Sequence, residues 1–449
     1  MVKEKKTTRE LTPEEKLARA LVPVEEQPYG VPENWCWVRF GLLIELISGR
    51  DAALSECNNK GIGIPYILGA SNINNNTFSV ERWIESPQVI SKKNDILLSV
   101  KGTIGKLYLQ QEDSINISRQ IMAIRPLKKL NVKFIYYFLL CICNELQEAG
   151  NGLIPGISRS DILEKAFPLP PLFEQQRIVD RIENLFVKLV EAKEKTQAAI
   201  DGFELRRSAI LHKAFTGELT EKWRLVHGIG LETWERTEIA SISDVKGGKR
   251  VPKGMSLTSE NTGHPYIKAG NLKQGTVLDD EIMYVPNDVL QYIKNYTVHA
   301  GDVYITNVGA CIGDCGIIPE KYDGANLTEN AVKITNLKCD SHFLAWYLSS
   351  GDVQQRIKTL IASATLGKLS ITNIKTIPVL LPTKEEQTEI IKIIGKLLVK
   401  EQQAKEAAES VLAQIDTMKK AILARAFRGE LGTNDPEEES AEVLLRQII

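Results

Sequence analysis

Apolar residues recur every three or four positions along two long stretches of the chain, 173–213 and 384–427, and no proline interrupts either one. This period places the apolar side chains on one face of a helix, so each stretch is predicted to form a single helix of about 40 residues, roughly 60 Å long. The apolar stripes consist of Ile178, Ile182, Leu185, Phe186, Leu189 and Val190 in the first stretch, and of Ile390, Ile394, Leu397, Leu398, Val411, Ile415, Met418 and Ile422 in the second.

Two long amphipathic helices in one chain are predicted to pack against each other as an antiparallel coiled coil. Two separate core helices are the alternative. Pro171 and Pro382 precede the helices, and Gly217 and Gly429 follow them at positions typical of helix C-caps.

The regions 34–167 and 233–378 have a different pattern. Short β-branched runs such as "DILLSV" (95–100) and "DVYIT" (302–306) alternate there with turns rich in glycine and asparagine, and helical segments follow. Each region is therefore predicted to be an α+β domain. The order along the chain is globule, long helix, globule, long helix.

The chain also repeats itself. "AILHKAFTGEL" (209–219) and "AILARAFRGEL" (421–431) are identical at eight of eleven positions. Upstream, we align "LPPLFEQQRIVDRI" (169–182) with "LLPTKEEQTEIIKI" (380–393), which places Glu174 over Glu385 and Gln176 over Gln387. Further matches pair Trp35 with Trp234, Gly49 with Gly248, Asp95 with Asp302, and the two "PYI" segments at 65–67 and 265–267. The helical regions match closely, whereas the globules share only spaced hydrophobic and turn positions.

These patterns predict an α+β fold with two α/β globules in a pseudo-twofold arrangement, separated by two long antiparallel helices that form a coiled coil. The predicted divisions are an N-terminal tail with a helix (1–27), a first globule (28–168), a first helical region (169–228), a second globule (229–380), and a second helical region with the C-terminal tail (381–449). Both tails contain Pro-Glu-Glu followed by Ala/Leu periodicity. They form either two edges of one terminal helical patch or solvated extensions.

Composition limits the function classes. No apolar run is long enough to span a membrane and the N-terminus lacks a signal-peptide core, so the expected location is the cytoplasm. Seven cysteines show no regular framework; Cys311 and Cys315 are the nearest to a metal pair but have no nearby histidine, so reduced thiols are expected. A net charge of −1 indicates that any DNA binding depends on local positive charge or on a partner.

Catalytic motifs are absent from the sequence. "KGTIGKL" lacks the first glycine and the Ser/Thr of a phosphate-binding loop, and no polar residue precedes "PPL" as an amino-methyltransferase motif requires. No restriction-nuclease cluster can be placed either. The chain is predicted not to be an enzyme.

The ordered duplication resembles the specificity subunit of Type I restriction-modification systems, over roughly residues 30–432. The residues that carry the resemblance are "PLFEQQ" (171–176) and "PTKEEQ" (382–387) at the helix starts, "AFTGELTEKWR" (214–224) and "AFRGEL" (426–431) at the helix ends, and the paired tryptophans, "PYI" and D-x6-G positions of the globules. The resemblance implies two target recognition domains separated by two conserved helical regions.

The resemblance further implies a division of labour. Each globule would bind one half of an asymmetric, two-part site in double-stranded DNA, while the helices fix the spacer and dock two identical modification (methyltransferase) subunits. Motor-nuclease restriction subunits would complete an adenine-specific methyltransferase and ATP-dependent endonuclease. This chain would hold no cofactor, since S-adenosylmethionine, ATP and Mg2+ are used by the partner subunits. The implied docking residues are Glu174, Gln176, Phe215, Glu218, Glu385, Gln387, Phe427 and Glu430.

Candidate DNA-binding residues are polar and cationic side chains in the loops of the globules, since such side chains contact base edges in the major groove. In the first globule they are Arg50, Asn58, Asn59, Lys60, Ser71, Asn72, Asn74 and its neighbours Asn75 and Asn76, Lys101, Thr103, Ser118, Arg119 and Gln120. In the second they are Lys249, Arg250, Lys253, Lys268, Asn271, Lys273, Thr306, Asn307 and Thr328.

Two other functions fit parts of the pattern. A stand-alone bipartite DNA-binding regulator would share the two globules but would need a stronger basic face. A coiled-coil scaffold that binds only proteins would share the helices but leaves the divergence of the polar loops unexplained.

Overall fold

The structure is a computed structural model that describes residues 12–74, 76–150, 156–362 and 367–449. These residues form two compact units, one extending to residue 195 and including 411–449, the other comprising 196–410. The unit boundaries cut through the long helices, whereas the predicted divisions ended each globule where its helix begins. Residues 1–11 of the predicted N-terminal tail and Asn75 lie outside the described residues.

The first repeat is built from short strands followed by helices. Its elements are α1 (Pro13–Ala20), β1 (Cys36–Arg39), β2 (Ile44–Ser48), β3 (Cys57–Asn58), β4 (Ile64–Ile67), β5 (Ile73–Asn74), β6 (Thr77–Phe78), β7 (Trp83–Ile84), β8 (Ile90–Lys92), β9 (Ile96–Ser99), β10 (Leu107–Leu109), β11 (Ser114–Ile117), β12 (Ile121–Pro126), α2 (Val132–Cys141), α3 (Cys143–Ala149), α4 (Arg159–Leu163), β13 (Ala166–Leu169), α5 (Leu172–Asp201), α6 (Phe203–Phe215) and α7 (Glu221–His227).

The second repeat has the same order with small differences. Its elements are β14 (Glu235–Glu238), α8 (Ile239–Ile242), β15 (Asp244–Gly247), β16 (Pro265–Ile267), β17 (Leu272–Lys273), β18 (Thr276–Val277), β19 (Met283–Tyr284), α9 (Asn287–Ile293), β20 (Val303–Thr306), β21 (Cys315–Ile317), β22 (Asn326–Leu327), β23 (Ala331–Thr335), α10 (Ser341–Leu348), α11 (Gly351–Ala362), α12 (Ile371–Lys375), β24 (Pro378–Leu381), α13 (Lys384–Phe427) and α14 (Ala441–Arg446).

The sheets of the two repeats correspond strand by strand. An antiparallel sheet of order β10-β9-β12-β2 matches β21-β20-β23-β15, and the pair β1-β13 matches β14-β24. The second sheet of each repeat includes a parallel pair, β4 with β11 and β16 with β22. Because both faces of the central strands β9 and β20 are covered, every residue of these strands is buried. The predicted α+β fold with an internal repeat is confirmed.

Both predicted long helices are present. The second is one helix of 44 residues, α13. The first consists of α5 and α6, which are joined by Gly202 in a right-handed helical conformation. Helical hydrogen bonds pass through the junction, from the backbone N–H of Gly202 to Ala198 and from that of Arg206 to Gly202, both at 3.0 Å. The predicted long helix over 173–213 is confirmed, with a local irregularity at Gly202.

Within each unit the long helices run antiparallel. In one unit, Ile178 and Ile182 near the start of α5 share a hydrophobic core with Phe427 at the end of α13. In the other unit, Leu211 near the end of α6 shares a core with Ile390 near the start of α13. Each core also contains the strands and following helices of its globule, so globule and helix pair are packed as one body within a unit. The helices end at Gly217 and Gly429 in the left-handed conformation, with φ of 84° and 73°, as the C-cap prediction requires.

A buried glutamate anchors the start of the first long helix. The indole of Trp35, just before β1, donates to the Glu174 carboxylate at 2.7 Å, and the Asn434 side chain donates to it at 2.9 Å. The next residue, Gln175, accepts a hydrogen bond from the backbone of Asn131 at the start of α2. These bonds join the first strand, the globule's main helix and the C-terminal segment to one helix terminus.

The second repeat has the same arrangement at Glu386 and Gln387. Trp234 donates to Glu386 at 2.8 Å, Arg224 donates to it at 2.7 Å, and the backbone of Asp340 donates to Gln387 at 3.1 Å. Glu174 therefore corresponds to Glu386. The predicted alignment of the helix starts is wrong by one residue, because a constant offset of 212 relates these residues as well as the "AIL" segments.

The terminal segments form one helical patch, which decides between the two alternatives left open by the sequence. Leu17 of α1 and Leu445 of α14 are buried in the core of the first repeat. Arg177 of α5 forms an ion pair of 2.6 Å with Glu438, ahead of α14. The C-terminal segment is therefore part of the folded unit.

The seven cysteines are free thiols that differ in burial. Among the described residues, no cluster of metal-ligating side chains occurs. Burial raises the pKa of the Cys315 thiol to about 11, so it is protonated at neutral pH, whereas Cys311 is exposed. No helix in the described ranges is both long and apolar enough to cross a membrane.

The buried Glu386–Arg224 pair gives a stability prediction. Glu386→Gln should lower the free energy of unfolding by about 3 kcal/mol, because it leaves the buried Arg224 charge uncompensated. Denaturant titration monitored by tryptophan fluorescence measures this change. Glu385→Gln is the matched control: its side chain is exposed, and its effect should stay within about 0.5 kcal/mol. Equal midpoints for the two variants would contradict the anchoring role of Glu386.

Candidate nucleic-acid interface

Four loops of the first globule meet around the turn 118–120. The Ser118 hydroxyl donates to the carbonyl of Leu68 at 2.6 Å, and the carbonyl of Gln120 accepts from the backbone of Val100, next to the loop 101–103. The backbone of Gly49 donates to the carbonyl of Ile121 just after the turn. We call the loops 49–51, 68–72, 101–103 and 118–120 the first loop junction.

The second globule has an equivalent junction around the turn 328–330. The backbone of Gly248 donates to the carbonyl of Ala331, that of Thr328 to Ile267, and that of Asn307 to Asn330. These bonds repeat the pattern of the first globule. The loops 248–250, 268–271, 306–309 and 328–330 are the second loop junction.

Glycine is required at one position of each junction because the backbones approach closely. A Cβ on Gly49 would lie 2.2 Å from the carbonyl oxygen of Ser118, and one on Gly248 would lie 2.0 Å from that of Thr328. The sequence pairing of these two glycines is thereby explained. The close approach holds the loop after the second strand against the central turn in both repeats.

Both junctions carry local positive charge on a nearly neutral chain. The first contains Arg50, Lys101 and Arg119 against Asp51, and the second contains Lys249, Arg250 and Lys268 against Glu329. Three cations and one anion give each junction a net charge of +2, and all six cations are exposed. An exposed cationic group of loops is the electrostatic feature that phosphate and base contacts require.

Comparison with known proteins identifies the family. The family model described as "Type I restriction modification DNA specificity domain" matches residues 32–201 and 231–409, more than half of the chain. The chain belongs to this family. The resemblance found in the sequence is confirmed.

Individual relatives cover nearly the whole chain. The Type I restriction enzyme EcoKI specificity subunit of Escherichia coli K12 is 24% identical over 464 residues, covering 93% of this chain and 95% of that protein. The EcoDI specificity subunit of Escherichia coli is 23% identical, with the same coverage. The HsdS subunit from Thermoanaerobacter tengcongensis has a similar fold, with a TM-score of 0.65 at 19% identity, covering 91% of this chain and 100% of that one. The relatives are named as specificity subunits, which agrees with the predicted non-catalytic role.

Some predicted DNA-binding residues of this specificity-family chain are buried. Asn72 and Asn271 are 1% and 4% exposed. Their side chains accept from the backbone of Gly69 and Lys268 and donate to carbonyls that follow the adjacent small hairpins. They shape these segments, and their contact with bases stays a prediction. Three hydroxyl side chains are buried as well, those of Ser118, Thr306 and Thr328, and their base contacts also stay a prediction.

Other predicted residues lie outside the two junctions. Asn58 is half-buried and accepts from the backbone of Lys60, which organises the loop that also contains Asn59. Asn74 and Lys273 lie on the small hairpins β5-β6 and β17-β18, and Lys253 lies on an exposed turn. Their DNA contacts stay a prediction, as do those of Arg50, Ser71, Asn76, Lys101, Thr103, Arg119, Gln120, Lys249, Arg250, Lys268 and the half-buried Asn307.

The junctions contain, or lie next to, residues that the sequence did not single out. Tyr66 accepts from the backbone of Ala52 at 3.1 Å, and Tyr266 donates to the carbonyl of Lys249 at 2.9 Å. Burial raises the pKa of both hydroxyls, so they remain protonated and can serve as hydrogen-bonding supports. In the sequence, the equivalence of the two tyrosines is indicated by the segment "PYI", which both repeats contain. Asp51 pairs with Arg119, and Glu329 pairs with Arg250. In the sequence, only their positions next to Gly49-Arg50 and to Thr328 indicate that these two acids belong to the junctions.

The predicted docking residues divide in the same way. Glu174, Phe215, Gln387 and Phe427 are buried and contribute to the packing within their own unit. Gln176, Glu218, Glu385 and Glu430 are exposed. The docking role of all eight stays a prediction, and the four exposed residues present their side chains to solvent.

The loop-shaping role of Asn271 is testable. Asn271→Ala should lower the free energy of unfolding by about 1–3 kcal/mol, because buried backbone groups lose their partners. Denaturant titration measures the change, and the exposed Lys273→Ala serves as control with an expected effect within about 0.5 kcal/mol. If Asn271→Ala unfolds like the wild type yet alters the DNA sequence recognised, Asn271 is a base-contacting residue after all.

Proposed function

We propose that this chain is the DNA sequence-specificity subunit of a Type I restriction-modification complex, in which each globule reads one half of an asymmetric, two-part site. The observation that carries the proposal is the recurrence of one loop junction on both repeats. The two junctions share backbone geometry and net charge but differ in the polar side chains that they expose. A common scaffold with different side chains suits two globules that recognise different bases.

We further propose that the helices dock two identical methyltransferase subunits. The helix starts and ends have similar sequences in both repeats, and part of that similarity is explained by the buried anchors at Glu174 and Glu386. The exposed residues Gln176, Glu218, Glu385 and Glu430 are not needed for the fold in this way. With the offset of 212, Glu218 and Glu430 are equivalent positions, whereas Gln176 corresponds to Thr388 and Glu385 to Phe173. Glu218 and Glu430 are therefore the candidates for contact with a partner that binds twice.

S-adenosylmethionine, ATP and Mg2+ belong in this proposal to the partner subunits. The restriction subunits would use ATP, and the modification subunits would transfer the methyl group to adenine. Cytoplasmic localisation follows from the same proposal, since the host DNA is the substrate.

The two rival functions fit the observations less well. A stand-alone regulator would have to bind DNA with a chain of net charge −1 and junctions of only +2 each. A protein-only scaffold has no need for the two glycine-dependent cationic junctions. DNA binding by the chain that is equally tight with and without a methyltransferase would favour the regulator.

The decisive test is single-molecule methylome sequencing of the host with this gene intact and deleted. We expect an asymmetric, two-part adenine-methylated motif to disappear on deletion and to return on complementation. An unchanged methylome in a strain that expresses the partner methyltransferase would reject the proposed function.

The assignment of one globule to each half-site predicts separable effects. Lys101→Ala in the first junction and Lys268→Ala in the second should each weaken binding, by about 1–3 kcal/mol for a base contact. Relaxed specificity should appear in one half-site only, and in opposite half-sites for the two variants. Methylome sequencing measures both. Relaxation of both half-sites by one variant would contradict the assignment.

A further inference from the structure

An ion pair occupies the same place in both loop junctions, but with its charges exchanged. In the first junction, Arg119 on the central turn pairs with Asp51, with Nε and Oδ2 2.7 Å apart. In the second junction the central turn 328–330 contains the acid, Glu329, and Arg250 of the neighbouring loop 248–250 pairs with it. The positions correspond: the turn residues Arg119 and Glu329 each follow the buried hydroxyl residue that the loop glycine approaches.

The scaffold beneath the pair is the same in both repeats. The residue after each glycine, Arg50 or Lys249, donates its backbone N–H to the carbonyl of Ile117 or Leu327, at 3.0 and 2.9 Å. The pair itself differs in polarity, and Asp51 in addition accepts from the backbone N–H of Arg119 at 3.1 Å. An arginine and a carboxylate are thus retained at this place while the loop that supplies the arginine changes.

The pair contributes little to folding. Arg119 and Arg250 have side chains that are 69% and 78% exposed. Exposed ion pairs contribute about 0–1 kcal/mol to stability because solvent screens them. Retention of the pair at the most crowded point of both junctions therefore indicates a role in binding rather than in stability.

The geometry of each pair leaves one edge of the guanidinium available. The shortest contact in both pairs is made by Nε, on the inner side of the arginine. The terminal Nη1 and Nη2 atoms remain for a second planar acceptor. A guanidinium held in this way matches the O6 and N7 acceptors of guanine in the major groove, the contact that arginine makes most often with DNA.

We propose that Arg119 and Arg250 each contact a guanine, one in each half-site, and that Asp51 and Glu329 are positioning residues that fix the orientation of these arginines. This inference rests on the proposed function and adds the base read at one position of each half-site. Arg119 lies on the central turn, whereas Arg250 lies on the loop that faces the turn. The two guanines therefore need not occupy equivalent positions in the two half-sites.

The test uses the complete methyltransferase complex with Asp51→Asn or Glu329→Gln in this chain. Each variant should make one G·C position of a single half-site degenerate, with at least about a tenfold loss of discrimination against other base pairs. The degenerate position should lie in opposite half-sites for the two variants. Methylome sequencing identifies the position, and competition with duplexes substituted at that base pair measures the discrimination.

Matched controls are Glu145→Gln in the first repeat and Asp279→Asn in the second. Both carboxylates belong to exposed ion pairs, with Lys165 and Lys321, outside the junctions. They should leave every position of the motif unchanged. A control variant that relaxes the motif as strongly as Asp51→Asn would overturn the proposal.

A charge-exchanged double variant separates positioning from simple loop stabilisation. Asp51→Arg combined with Arg119→Asp keeps the ion pair but supplies the arginine from the other loop, as in the second repeat. If the pair only stabilises the loops, wild-type specificity returns; if the arginine reads a guanine, the G·C preference stays lost or moves. This inference alone is overturned if the double variant restores the wild-type motif, or if Asp51→Asn keeps every position of the motif sharp. The proposed function is overturned if the wild-type motif is still methylated after the gene is deleted.

Discussion

The structure depends on a buried carboxylate at the first turn of each long helix. Glu174 and Glu386 are completely buried, and a charge in that position is tolerated only with several donors. An indole, a second side chain and the helix N-terminus supply them. Because the tryptophans lie beside the first strand of each globule, the requirement fixes the globule on its helix. Sequence similarity at the helix starts therefore has a structural cause as well as any functional one.

The fixed scaffold of each globule makes variation possible at its loop junction. The central strands β9 and β20 and the glycines Gly49 and Gly248 set the position of the loop junctions. Exposed side chains can then differ between repeats without disturbing the fold, since each contributes little to stability. The same backbone presents a net charge of +2 twice, with the arginine and carboxylate of one ion pair exchanged. One scaffold can in this way present two different polar surfaces to DNA.

The sequence by itself determined the repeat, the fold class and the family. The 3.6-residue period over 384–427 identified α13, alternating strands and turns identified the globules, and the paired Trp35/Trp234 and Gly49/Gly248 proved equivalent. These features are visible because each follows from local geometry or from a residue type that cannot be replaced. The net charge of −1 also predicts that any DNA binding depends on local rather than overall positive charge.

Only the tertiary structure decided what individual polar residues do. Asn72 and Asn271 resemble DNA-binding residues in sequence, yet their amides satisfy backbone groups; Glu386, rather than Glu385, is the partner of Trp234. Asp51 and Glu329 became significant only when the loops were brought together. A polar side chain has the same pattern in sequence whether it faces solvent or a buried donor, and its partners, which lie far away in the chain, determine which of the two occurs.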